Sequence, residues 1–189
     1  MHAMDAASLM IRLIVGITLV LHGWNHAFGG GKIPGTARWF ESLGLRPGRL
    51  HAWLSAATEI GCGLALAAGF LTPLAAGGLL GTMVVAGVIE HRTHGFFIFR
   101  NGYEYVLMIS VILCATAVTG AGQASLDHVI GFRLSAVAGL AACVGIGVGG
   151  AALLLLSCWR PGRAEGPAGD AVAAGTARSA DETTPAAAP

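Results

Sequence analysis

Five stretches of this 189-residue chain are apolar enough and long enough to cross a bilayer, and four of them contain or abut ionisable residues. They run over about 9–28, 50–70, 73–89, 103–119 and 134–159, each approaching the ~20 residues that span a ~30 Å hydrocarbon core. His22, Asn25, His26, Glu59, Glu90, His91 and Glu104 lie inside or beside them. An ionisable group in hydrocarbon is costly, so it faces a bundle interior or a watery cavity and marks a candidate functional site.

That pattern predicts an all-α polytopic membrane helix bundle, and the composition agrees. Only 11% of residues are charged, against about 25% in a soluble domain. Five spans leave almost no chain for a soluble domain, so residues 1–159 are expected to form one transmembrane helical domain. Residues 160–189, made of Ala, Gly, Pro, Ser and Thr with scattered charges, have no apolar periodicity and are expected to be a disordered cytoplasmic tail. The net charge of +1 gives no reason to expect a nucleic-acid partner. The N-terminus lacks a basic n-region and a small-residue cleavage site, so the first apolar stretch is expected to be a retained span. Cys62, Cys114, Cys143 and Cys158 all fall in predicted spans with no CxxC or paired metal spacing, and read as small buried hydrophobes.

Between the spans, Gly29-Gly30-Gly31 opens the longest connection, and 36–43 reads as a short amphipathic helix. Trp39, Phe40 and Leu43 lie on its apolar side, suited to the interface with Trp39 at headgroup depth. The connection at Leu71-Thr72-Pro73 is short enough to force an antiparallel hairpin. Phe96, Phe97 and Phe99 interrupt the polar loop 90–102 and suggest a return to the membrane surface. The last span has no ionisable residue. Its Gly145/Gly149 pair and the Gly147/Ala151 pair permit close helix approach, as do Gly77 and Gly81 in the third span.

Counting Lys and Arg on each side sets the expected orientation. Lys32, Arg38, Arg46, Arg49, Arg92, Arg100, Arg160, Arg163 and Arg178 stand on one side, and Arg12 and Arg133 on the other. This places the first and third loops and the C-terminus in the cytoplasm and the N-terminus outside.

His22 and His26 are four residues apart and share a helix face. Glu59 lies about nine residues into the second span, ~13 Å deep at 1.5 Å per residue. Glu90 and His91 end the third span, and Tyr103 and Glu104 begin the fourth. All these groups converge on the cytoplasmic half of one bundle. Three readings stay open. Glu59 pairs with a histidine as interhelical glue, His22 being the better match in depth. Alternatively the cluster lines a pocket for a polar headgroup or quinone-like ligand, with a carboxylate and a His handling a proton. In the third, an HxxxH face plus a carboxylate holds a metal, or a His ligates haem. No matched second His pair lies on a facing span, so no residue is assigned as a metal ligand. There is no Walker motif, no CxxCH and no Ser nucleophile elbow, and five spans do not split into inverted repeats.

The segments RLIVGITLVLHGWNHAFGGG, ATEIGCGLALAAGFLTPLAA, NGYEYVLMISVIL and GAGQASLDHVIG, in that order, resemble the DoxX family of small bacterial membrane proteins. The pattern is Arg12 and Gly16, His22-Gly23, Glu59, Gly102-Tyr103-Glu104, then Ser125-Leu126-Asp127, over about 11–131. The resemblance implies a four-helix core, here followed by a fifth transmembrane helix, and a link to redox metabolism. Relatives serve in thiosulfate:quinone oxidation and in oxidative-stress complexes, which implies redox-protein partners besides the lipid bilayer. A homo-oligomer is equally open. The alternative function is a non-catalytic membrane scaffold or small-molecule permeation protein. Asp127 lies at the end opposite the His/Glu cluster and reads as structural, with Ser125 or Asp127 capping a short helix.

Overall fold

A computed structural model of the chain describes residues 3–162. Among these residues the fold is all-α: α1 (Ala3–Phe28), α2 (Lys32–Ser42), α3 (Gly48–Ala68), α4 (Thr72–Ile89), α5 (Glu104–Thr119), α6 (Leu126–Ile130) and α7 (Ala136–Cys158). Two short 3₁₀ turns, His91–His94 and Ile98–Arg100, fill the connection before α5. α1, α4 and α7 are each long and apolar enough to cross a membrane. α5 is apolar but shorter, and α3 has the length but carries Arg49, His51 and Glu59. Of the expected tail, 160–189, residues 163–189 lie outside the described residues, and Arg160 is held by its N–H to the Gly44 carbonyl.

α1, α3, α4 and α5 form a ring in which each helix packs on the next, and α7 packs against α4 and α5. Leu19, Leu66, Leu79 and Leu113 fill its centre and are fully buried. Ile14, Leu21, Leu153 and Leu156 point outward, the distribution expected of helices whose outer faces meet hydrocarbon.

Small residues set the closest approaches. On α1, Gly16 faces the carbonyl of Gly63, and Gly23 faces Glu59 and the carbonyl of Ala56; a Cβ at Gly23 would stand 2.8 Å from that of Glu59. α4 and α7 meet through Gly77 and Gly81 against Cys143 and Gly147, where a Cβ at Gly147 would lie 2.8 Å from Cβ of Leu80. Of the two small-residue pairs expected in the last span, only Gly147/Ala151 makes this contact. Gly145 and Gly149 have nothing within 4 Å of a Cβ position, because they stand on the far side of the helix.

The two ends of the ring are closed differently. At one end, the Arg12 side chain is fully buried and donates to the carbonyls of Ala67 (3.1 Å) and Ala124 (2.7 Å). Beside it, Asp127 accepts from the backbone N–H groups of Leu71 (2.6 Å) and Thr72 (2.9 Å) and from the Thr72 hydroxyl (2.7 Å). Asp127 therefore caps α4, a helix distant in sequence, by supplying acceptors to its orphan N–H groups. Ser125 caps α6 as expected, accepting from the N–H of His128 at 3.1 Å.

The opposite end carries the histidines. α2 spans Lys32–Ser42, longer than the expected 36–43, and buries Ile33, Ala37 and Phe40 against α3 and α1. Its apolar stripe is thus largely spent on the bundle; Trp39 alone of the expected interfacial aromatics is 42% exposed. The Thr36 hydroxyl donates to the carbonyl of His26, fixing α2 to the end of α1. The segment after α2 pairs with the end of α7: Arg46 N–H donates to the Cys158 carbonyl, Arg160 N–H to the Gly44 carbonyl, and Trp159 Nε1–H to the Leu43 carbonyl. This brings Leu45 inward, where it is 1% exposed.

Candidate functional site

A cavity of about 600 Å³ lies at the histidine end, walled by α1, α3, α4, α5 and α7 and roofed by Trp39, Phe40 and Leu45. Its surface is mostly apolar, with polar groups concentrated on α3 and α1. On α3, His51, Ser55 and Glu59 recur at intervals of four and so form one stripe. On α1, His22 and His26 form a second.

The stripes meet at Glu59. Its Oε1 accepts from the Ser55 hydroxyl at 2.7 Å and lies 3.8 Å from His26 Nε2. The partner is therefore His26, not the expected His22. Depth reckoned from residue number alone misplaces the pair, because helical side chains lean toward the N-terminus of their own helix. α1 and α3 are antiparallel, so Glu59 leans toward the histidine end while His26 leans away from it, and the two converge. His22, one turn deeper on α1 and leaning the same way as His26, passes below Glu59 and instead stacks on Tyr105, with ring centroids 5.9 Å apart. His26 also stacks on Trp39 at 6.0 Å.

Several polar atoms here are buried without a hydrogen-bond partner: Oε2 of Glu59, both ring nitrogens of His51 and the hydroxyl of Tyr105. Glu59 is 5% exposed and His51 4%. An unpaired buried polar atom costs about 1–3 kcal/mol, so a cluster of them around one cavity is an arrangement that a ligand relieves.

The remaining expected residues divide. Glu90 and His91 line the rim of the cavity, where Glu90 Oε1 accepts from Asn101 Nδ2 at 2.9 Å and His91 Nδ1 lies 2.7 Å from the Asn101 carbonyl oxygen. Glu104 and Tyr103 stand apart from it. Glu104 Oε2 accepts from the Ile98 N–H, and Tyr103 packs edge-on against Phe96. Tyr105, two positions on and so about 200° around the helix, lines the cavity where Tyr103, expected in the cluster, does not. Sequence reasoning also missed His51 and Ser55. The fourfold spacing 51–55–59 was the available signal, and it was obscured because His51 falls at the very start of the apolar stretch. Among the described residues no group of three or more His, Cys, Asp or Glu is placed to hold a metal.

Residues 7–92 match the DoxX family model. The chain carries a DoxX domain. The match takes in α1 to α4 and, with them, His22, His26, His51, Glu59, Glu90 and His91, so most of the cavity's polar groups belong to the DoxX segment. α5, which contributes Tyr105, and α7, which contributes Ile146 and Leu154, lie beyond it. No curated protein and no solved structure matches the chain. Its apolar helices and its DoxX domain make it a DoxX-like membrane protein.

Proposed function

We propose that this protein is a component of a redox- or quinone-linked system of the bacterial inner membrane, and that the cavity holds the headgroup of a quinone-like ligand. The observation that carries the reading is the unpaired set formed by Glu59 Oε2, His51 and the Tyr105 hydroxyl around one largely apolar space. A cavity of about 600 Å³ falls within the roughly 300–1,000 Å³ of small-molecule sites, which are apolar with a few placed polar groups. A quinone suits these residues because its ring needs apolar walls and its two oxygens need hydrogen-bond partners. Tyr105 donates through its hydroxyl. His51 donates or accepts according to tautomer. Glu59, already held on one oxygen by Ser55, presents the other oxygen to exchange a proton with the ligand, and His26 is placed to share that proton.

In this reading all five long helices span the bilayer, with residues 1–159 as one domain, the cavity in the cytoplasmic half, the N-terminus outside and the C-terminus cytoplasmic. The lysine and arginine asymmetry supports that orientation.

The test is quinone and lipid analysis of the protein purified in mild detergent, with a thermal-shift titration against a benzoquinone. Bound quinone that Glu59→Gln and His51→Leu release would support the reading. A protein free of quinone and unshifted by it would reject the reading and leave the His26–Glu59 contact as interhelical glue in a membrane scaffold.

A further inference from the structure

The cavity has two approaches, and they differ in chemistry. The polar rim is latched: Asn101 bridges Glu90 and His91 at 2.9 and 2.7 Å, while Leu45, itself 1% exposed, closes the roof. The other approach is lateral. α3 and α4 are joined by a tight turn and touch where a Cβ at Gly78 would lie 2.7 Å from Cys62 Sγ. Nearer the histidine end both helices line the cavity, with Leu54 and Thr58 on one side and Thr82 and Ala86 on the other. The cavity lies between them, and the gap is bordered on a third side by Ile146, Gly150 and Leu154 of α7.

The edges of that gap are apolar and outward-facing. Leu54 is 47% exposed and Ile146 44%, and both also line the cavity. One turn on from Ile146, Gly150 of α7 lines the same space and has nothing within 4 Å of its Cβ position. Leu153 and Leu156, on the outer side of α7, are 72% and 80% exposed. Exposed apolar surface of this kind on a membrane helix faces lipid, so the gap leads from hydrocarbon to the unpaired groups of Glu59, His51 and Tyr105.

We infer that the cavity is loaded sideways from the bilayer through the gap between α3 and α7, and that its ligand is a tailed amphiphile. The polar head reaches Glu59 and His51, and the apolar tail lies between Leu54 and Ile146. The inference rests on the reading of the cavity as a quinone-headgroup site and adds the entry route and the need for a tail. The absent side chain at Gly150 keeps the gap open.

The experiment uses the full chain in lipid nanodiscs, loaded with a decyl-tailed benzoquinone or with the same benzoquinone lacking the tail, and measures quinone retained per protein after washing. Gly150→Phe fills the gap. Gly149→Phe, at a neighbouring position that also has open space and does not line the cavity, is the control; Leu54→Phe narrows the gap from the opposite wall if Gly150→Phe fails to assemble. The expected result is retention of the tailed quinone by the wild type and Gly149→Phe, loss in Gly150→Phe, and poor retention of the tailless head throughout. Equal retention of tailed and tailless quinone, unaffected by Gly150→Phe but abolished by Glu59→Gln, would overturn lateral entry and keep the headgroup site. Retention of neither by the wild type would overturn both.

Discussion

The guanidinium of Arg12 occupies the place where a side chain at Gly69 would stand. Gly69 ends α3 in the left-handed conformation, φ +66°, and a Cβ there would collide with Nη1 of Arg12. The same turn hands the Gly69 carbonyl to the N–H of Asp127 at 2.8 Å, while Asp127 caps α4. One glycine thus lets a buried cation, a helix end and a helix start share a small volume.

Replacing Gly69 with Ala should therefore be costly out of proportion to its size. The left-handed backbone adds roughly 1–2 kcal/mol for a residue with Cβ, and forcing Arg12 aside adds about 1–3 kcal/mol of overpacking. Thermal unfolding in detergent should show a clear drop in Tm for Gly69→Ala. An unchanged Tm would show that the arginine end adjusts freely.

Asp127→Ala removes the acceptor from two backbone N–H groups and a hydroxyl at once, so a loss near the upper end of the usual ~0.5–2 kcal/mol for a cap is expected. Asp127→Asn keeps one carbonyl oxygen and should lose less. Ser125→Ala, which removes the acceptor of the His128 N–H and the donor to the Gly122 carbonyl, should cost about 1 kcal/mol. Reversal of the Asp127 and Ser125 ranking in denaturant titration would contradict the capping assignment.

The Glu59 pairing is tested by two double-mutant cycles. Glu59→Gln combined with His26→Gln should be non-additive by no more than about 0.6 kcal/mol, the size of a typical interhelical hydrogen bond in a membrane protein, since the two groups stand 3.8 Å apart. Glu59→Gln combined with His22→Gln should be additive. Coupling to His22 in place of His26 would show that the side chains do not converge as described.

Gly147→Ala and Gly145→Ala form a matched pair on one helix. Both gain up to about 1 kcal/mol of helix propensity, but only at Gly147 does the new methyl meet Leu80 and the Gly77 carbonyl. Gly145→Ala should leave stability equal or higher, and Gly147→Ala should lower it. Equal gains at both positions would place the α4–α7 contact elsewhere.

A topology reporter fused after Trp159 should be active in the cytoplasm. With Arg12 buried in the interior, Arg133 is left as the basic residue of the opposite loops, which strengthens the asymmetry behind this orientation. Periplasmic activity of the fusion would overturn the orientation or the count of spans.

The amino-acid pattern alone determined the all-α bundle, the short hairpin at residues 71–73, the Ser125 cap and the gathering of His22, His26 and Glu59 at one end. Hydropathy and the repeat of the helix are local properties, and they carry that much. Four matters were decided only when the helices packed. Glu59 reached His26 rather than His22 because antiparallel helices lean their side chains in opposite directions, which a depth count ignores. Tyr105, not Tyr103, turned inward because rotation about the axis of α5 is set by its neighbours. Asp127 capped α4 rather than its own helix because the partner N–H groups, fifty-five and fifty-six residues away, come within reach only through the folded turn at Gly69. His51 entered the site for the same reason: its polarity was plain and Leu45 is only six residues away, but whether the segment after α2 folds back over the start of α3 is set by its pairing with the end of α7, which the local pattern does not encode.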